Sequence, residues 1–241
     1  MLNGEVVAPR GELTREVIGG NVICNPLRLP LPIGIGRKWS RRMAAYEALA
    51  CIGGVSYPDM IPALHHWRED ALLEGDHLGD FHAPYGPRLR AGLETCVRRL
   101  HDDPDTRRAV VTAWDDTLDR PDDRRNYPCL TQVQFLIRAG RLDLHSTWRA
   151  WDAWRGLPYD VFMLAQLQRA AASALNVPCG YASHYATSLH LYESDLPAVT
   201  AILEATRRKP LAFHYVPDDE WQLGPAFGAN ARLRWQAIRY V

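Results

Sequence analysis

YPCLTQVQFLIRAGRLDLHSTW, residues 127–148, is the stretch on which the fold turns. Val133, Phe135 and Ile137 recur at every second position in its first half, and Leu142 and Leu144 do so in its second. A period of two puts each set on one face of a strand, and Ala139-Gly140 between them is a tight turn, so a β-hairpin is expected. Upstream, RAVVTAW (108–114) is β-branched and is followed by the polar loop DDTLDRPDDRRN, which predicts a buried strand. Thr14 to Cys24 alternates loosely and stops at Asn25-Pro26, a strand ended by proline. Cys179 to His190 and Leu211 to Val216 read as two later strands.

Helical periods fill the intervals. Trp39 to Ile52 carries Met43, Tyr46, Leu49 and Ala50 at helical spacing and stops at Gly53-Gly54, and Pro58 to Leu73 repeats the pattern. Leu89, Leu93, Cys96, Val97 and Leu100 form one stripe of a third helix, Arg88 to Leu100. Pro158 opens a long, Ala-rich and largely buried helix, PYDVFMLAQLQRAAASAL, and Asp195 to Thr206 gives another. Helices and strands do not alternate strictly, so the class is α+β with an antiparallel or mixed sheet. No repeat or Gly/Ser-rich linker interrupts the 241 residues, 47% hydrophobic, and residues 1–241 are expected to form a single domain.

The 28 Lys and Arg residues balance the 28 Asp and Glu, so net charge gives no push toward nucleic acid, membrane or acidic partners. Five cysteines are scattered without a C-x-x-C pair, which argues against a disulfide framework or a zinc cluster and for a reducing cytoplasm. No stretch is apolar enough for a signal peptide or a membrane span, and the expectation is a soluble, cytoplasmic protein without a metal.

Cys129 follows Tyr127-Pro128 at the mouth of a predicted strand, where a thiol can be presented beside a pocket. A lone cysteine is usually a small buried hydrophobe. Around this one, however, Arg107, Arg108, Arg124, Arg125 and Arg149 crowd in sequence, and nearby cations lower a thiol pKa and favour the nucleophilic thiolate.

Four segments in order, DPDTRRAVVTAW, YPCLTQVQF, GRLDLHSTWRAWDAWRGLPYDV and SLHLY, resemble the run of motifs in thymidylate synthases and the related pyrimidine nucleotide hydroxymethylases. PRGELTRE resembles their phosphate loop, AAYEALACIGG their glutamate-bearing helix and HAPYG their glycine-tyrosine-glycine loop; the tail beyond about Leu196 is hard to match. The resemblance implies a mixed sheet packed with helices, a sheet-mediated homodimer, and 5,10-methylenetetrahydrofolate as cosubstrate. It implies that Cys129 adds to carbon 6 of a pyrimidine nucleotide and that Glu47 organises proton transfers through water. Arg10, Arg149, Arg107 and Arg108 would hold the phosphate, the last two reaching across from the partner subunit, with Arg15 competing for the place of Arg10. His190 and Tyr192 would hydrogen-bond the sugar, and Tyr85 and Asp152 would lie near the folate. Taken alone, Glu47 would be a solvated helix residue, the arginines solvated surface, His190 and Tyr192 one half-buried strand face, and Asp152 a turn residue.

Departures from the family pattern narrow the substrate. Asp160 stands where thymidylate synthases place an asparagine, whose donor and acceptor complement uracil; a carboxylate instead accepts from the exocyclic amine of cytosine, and from its ring nitrogen once that is protonated. An aspartate in a helix's first turn is also favoured by the helix dipole. Leu130, Trp148 and Ala150 replace a histidine, a glutamine and a serine, and the closing C-terminal segment has no recognisable counterpart, which is compatible with water as the final nucleophile. The sequence therefore points to a cytidylate hydroxymethylase acting on CMP or dCMP, with a thymidylate synthase acting on dUMP and a catalytically idle nucleotide- or RNA-binding relative as the rivals.

Overall fold

The alternation of the 127–148 stretch is realised as strands Leu130–Arg138 and Arg141–Asp152, joined by Ala139 and Gly140 at φ 49° and 70°. Two consecutive left-handed residues are the geometry of a type I′ hairpin turn. Val133, Phe135, Leu142 and Leu144 are fully buried, with Phe135 opposite Leu144.

A computed structural model describes residues 3–27, 29, 39–55, 84–120 and 127–208. The strands are β1 (Glu5–Val7), β2 (Thr14–Cys24), β3 (Val110–Thr112), β4 (Leu130–Arg138), β5 (Arg141–Asp152) and β6 (Cys179–Tyr192). The helices are α1 (Arg41–Gly53), α2 (Tyr85–Asp102), α3 (Leu157–Leu175) and α4 (Leu196–Arg208). The strands form one six-stranded sheet in the order β1-β2-β6-β5-β4-β3. It is mixed: β5 and β6 run parallel and every other neighbouring pair is antiparallel. The parallel step follows from α3, which carries the chain from the end of β5 back to the start of β6. The α+β class and the mixed sheet are as the sequence indicates. The expected helix at Pro58 to Leu73 and strand at Leu211 to Val216 lie outside the described residues.

Boundaries move for local reasons. The third helix starts at Tyr85 rather than Arg88, so Pro84-Tyr85-Gly86 is its N-terminus and not a separate turn. Gly86 permits this: a Cβ there would stand 2.3 Å from Val55 O and 2.5 Å from Ala50 O, so only glycine lets α2 begin against the end of α1. The RAVVTAW strand pairs only over Val110–Thr112, because the carbonyl of Thr131 takes the N–H groups of both Ala113 and Trp114 and bends the chain away. β1, three residues long and exposed, gave no readable alternation.

Helix α1 starts at the cap Ser40, whose Oγ accepts from Met43 N, and ends at Gly54 with φ 67°. It packs on α3, and Trp39 lies against Tyr159 and Phe162 with ring centroids 5.7 and 6.0 Å away. Ala182, His184 and Ala186 of β6 are buried on the helix side. Alternation turns Tyr181, Tyr185 and, on β2, Ile23 to the opposite face, where they are 46%, 43% and 68% exposed.

Candidate active site

The open end of the β4–β5 hairpin sets the candidate nucleophile beside a cation. The carbonyl of Cys129 accepts from Arg149 N at 2.9 Å, while the guanidinium of Arg149 donates to Pro128 O at 2.9 Å and to Tyr127 O at 3.2 Å. The same guanidinium lies 5.8 Å from the ring centroid of Trp114. The Tyr85 hydroxyl accepts from Leu130 N at 3.4 Å, which brings α2's first residue to the nucleophile's loop.

The thiol itself departs from the expectation of an arginine-activated thiolate. Burial pushes its pKa above the ordinary value of 9.0; the charges of Arg149 and then Arg10 pull it down, while Asp160 and Asp152 push it up. Burial outweighs the pull of these two described cations. Arg107 and Arg108 have exposed side chains at the start of β3 and do not act on the thiol, and Arg124 and Arg125 lie outside the described residues. Cys129 therefore rests as a thiol, and to act as a nucleophile it would have to give up its proton.

Arg10 sits in a 3-10 turn, Pro9–Gly11, with φ 54°, an uncommon conformation for a side-chain-bearing residue. Its charge is felt by both Cys129 and Tyr192. Arg15 instead forms an ion pair with Glu193 at 2.7 Å. Of the two competing arginines, Arg10 is the one whose charge acts on the cysteine.

Two carboxylates lie deeper. Asp160, in the first turn of α3, is driven by burial from 3.8 up to about 7, with Trp151 pulling it down and Asp152 pushing it up. Burial and then the charge of Asp160 raise Glu47, on α1, from 4.5 to about 8. Glu47 is therefore not the solvated helix glutamate that its type alone suggests. A carboxyl poised near neutrality can both give and take a proton.

Asp152 ends β5, where its Oδ1 accepts from Trp154 N and Arg155 N, both at 2.8 Å. It is a turn residue, as its bland reading has it, but Oδ2 has no hydrogen-bond partner among the described residues. His190, on β6, stands opposite Asp152 and Glu16 in the two neighbouring strands. Its ring meets that of Tyr192 edge to face at 5.5 Å, so the two do share one face, and Arg155 covers Tyr192 at 4.6 Å.

Trp151 has no role in the motif reading, and Trp148 figures there only as a departure from pattern. Both are buried and stack in parallel at 4.9 Å, 5° apart, and Trp151 Nε1 donates to Asp160 Oδ2 at 2.9 Å. A tryptophan between the site residues Arg149 and Asp152 was the available signal. Among the described residues no cluster of His, Cys, Asp and Glu could hold a metal ion, and no helix is long and apolar enough to cross a membrane.

Residues 35–223 match the family model described as thymidylate synthase. Two archaeal proteins, both named "Putative thymidylate synthase", are similar: that of Methanopyrus kandleri is 36% identical over 54% of this chain and 63% of its own length. That of Methanothermobacter marburgensis is 29% identical over 83% of this chain and 87% of its own. The thymidylate synthase of Staphylococcus haemolyticus is 26% identical over 60% of this chain, but only 41% of its own length.

Proposed function

Since the chain belongs to the thymidylate synthase family, we propose that it is a one-carbon transferase of cytidylate: CMP or dCMP, 5,10-methylenetetrahydrofolate and water give the 5-hydroxymethyl nucleotide and tetrahydrofolate. The observation that carries the cytosine reading is Asp160, a half-buried carboxyl bonded to Trp151 and close enough to raise the pKa of Glu47, where an asparagine would serve uracil. Ionised, it offers only acceptors; protonated, it offers one donor beside an acceptor. Both forms complement the amine and ring nitrogen of cytosine as charge develops on the ring, and a pKa of about 7 makes both accessible.

In this reading Arg10 and Arg149 bind the nucleotide phosphate, and His190 and Tyr192 orient the sugar. The Cys129 sulfur adds to carbon 6 and its proton passes to solvent or to Glu47. Carbon 5 becomes the nucleophile and takes up the one-carbon unit; loss of its hydrogen as a proton then expels tetrahydrofolate as the bond from the methylene carbon to the folate nitrogen breaks. Glu47, with its high pKa, holds or returns protons through water at this carbon. Water adds to the resulting exocyclic methylene, and departure of Cys129 restores the aromatic ring. The folate supplies, when bound, the one-carbon unit at the oxidation level of formaldehyde. Asp152 fits it, since Oδ2 can accept from an amino-pterin edge while Oδ1 stays in the turn. Tyr85 fits as its aromatic neighbour at the nucleophile's loop.

Two copies acting together suit the arrangement. Ile23, Tyr181 and Tyr185 are exposed on a sheet face that no described helix covers, and the carbonyl of Arg107 accepts from Gln134, which faces the same way. Pairing of two such faces would bring Arg107 and Arg108 to the partner's phosphate. A reducing, cytoplasmic setting suits the five cysteines, all of them free.

The names of the relatives favour a second reading, methylation of dUMP. Incubation with each nucleotide and labelled methylenetetrahydrofolate separates the two: release of tetrahydrofolate with CMP or dCMP supports the proposal, and dihydrofolate formed from dUMP overturns it.

A further inference from the structure

Asp160 is held by a donor that cannot reverse its role. The Trp151 indole N–H has no acceptor capacity, and it donates to Oδ2 at 2.9 Å. The indole is clamped in turn. One face stacks on Trp148 at 4.9 Å, and the His184 ring meets it at 5.8 Å, inclined by 64°. Trp148 is anchored through its own Nε1 to Ser146 Oγ at 2.8 Å, and Ser146 Oγ lies 2.7 Å from His184 Nδ1. Gly156 leaves the space that Asp160 needs, since a Cβ there would lie 3.1 Å from Oδ2. One carboxylate oxygen is therefore committed to the protein, and the side chain cannot exchange its two oxygens without breaking a buried bond.

We propose that Trp151 is a positioning and specificity-determining residue: by donating to Oδ2 it fixes the carboxyl and turns Oδ1 toward the pyrimidine, as the acceptor for the exocyclic amine of cytosine. This rests on the reading of Asp160 as the base-contacting residue given above. The same donor sets a condition on an amide at position 160, which would have to give its oxygen to the indole and present its NH2 to the base. The buried aromatic cluster thus selects the chemical face of residue 160 as well as its position.

The test compares Trp151→Phe, which keeps a ring in the stack but removes the N–H, with Asp160→Asn and the unaltered protein. The readout is exchange of the carbon 5 hydrogen of CMP and of UMP with solvent across pH. A donor to a carboxylate stabilises its charged form, so its loss moves the Asp160 limb of the CMP profile upward by about one pH unit. It also lowers kcat about tenfold with little change in the KM for CMP, and narrows the preference for CMP over UMP. A Trp151→Phe profile and preference identical to those of the unaltered protein, with the limb absent from Asp160→Asn, overturns the role of Trp151 alone. A limb and preference that survive in Asp160→Asn overturn the reading of Asp160 itself. Should Trp151→Phe not fold, the Nε1–H resonance of Trp151 in the full-length protein carries the test. It is expected to titrate near neutral pH and to stop doing so in Asp160→Asn, and a resonance that does not titrate overturns the proposal.

Discussion

Cys129, the proposed nucleophile, is a thiol held above its ordinary pKa by burial, against the pull of Arg149 and Arg10. Alkylation of this cysteine by iodoacetamide is therefore expected to keep accelerating above pH 9, and Arg149→Gln is expected to slow it further at any fixed pH. A rate that levels off below pH 8, read by intact-protein mass, would contradict this. The carboxyls make the opposite kind of statement. Glu47 at about 8 and Asp160 at about 7 lie above their ordinary values of 4.5 and 3.8, so folding takes up protons between those ranges. The stability they contribute is complete below about pH 4 and is lost as pH rises through 7 and 8. The Tm of the unaltered protein is expected to fall across that window more steeply than that of Glu47→Gln, and parallel slopes in scanning fluorimetry would count against a protonated Glu47. As general acid and base, Glu47 is also expected to be worth about 10²–10⁴ in the rate of carbon 5 hydrogen exchange, lost in Glu47→Gln.

At the scale of elements, one ion pair fastens the segment after β3 to α2. Arg88 and Asp119 meet at 2.8 Å with side chains 8% and 0% exposed, and Arg88 also donates to Ala113 O while Asp119 accepts from Asp115 N. Removing one partner strands a buried charge, so Asp119→Ala is expected to cost about 3–5 kcal/mol in chemical denaturation. A change of a few tenths would contradict that burial. This pair was invisible in the sequence, because its partners lie 31 residues apart and Asp119 sits in a run that reads as a polar loop. The β4–β5 hairpin and the stripe of α2 were readable, since period and turn chemistry are local. The parallel pairing of β5 with β6 was not, because register between distant strands depends on the path of α3. The same division holds in the site. Motif order singled out Cys129, Glu47 and Asp160, whereas the indole bond that holds Asp160 exists only once a strand and a helix are packed.

For the whole molecule, the sheet face that no described helix covers and the exposed Arg107 and Arg108 are the basis of the proposed shared site. If two copies pair through that face, Tyr185→Glu is expected to dissociate them in light scattering and to abolish exchange. Mixed copies of Cys129→Ala and Arg108→Gln are expected to regain activity that neither has alone, and failure to do so would leave each site self-sufficient. The central claim is that a family fold built around Cys129 has had its base specificity moved to cytosine by Asp160. A mass spectrum of the products formed from an equal mixture of CMP, dCMP, UMP and dUMP with methylenetetrahydrofolate tests it most directly. A CH2O unit gained by CMP or dCMP, with the uridylates unchanged, is the predicted result. A methyl group gained by dUMP, with both cytidylates unchanged, would contradict it.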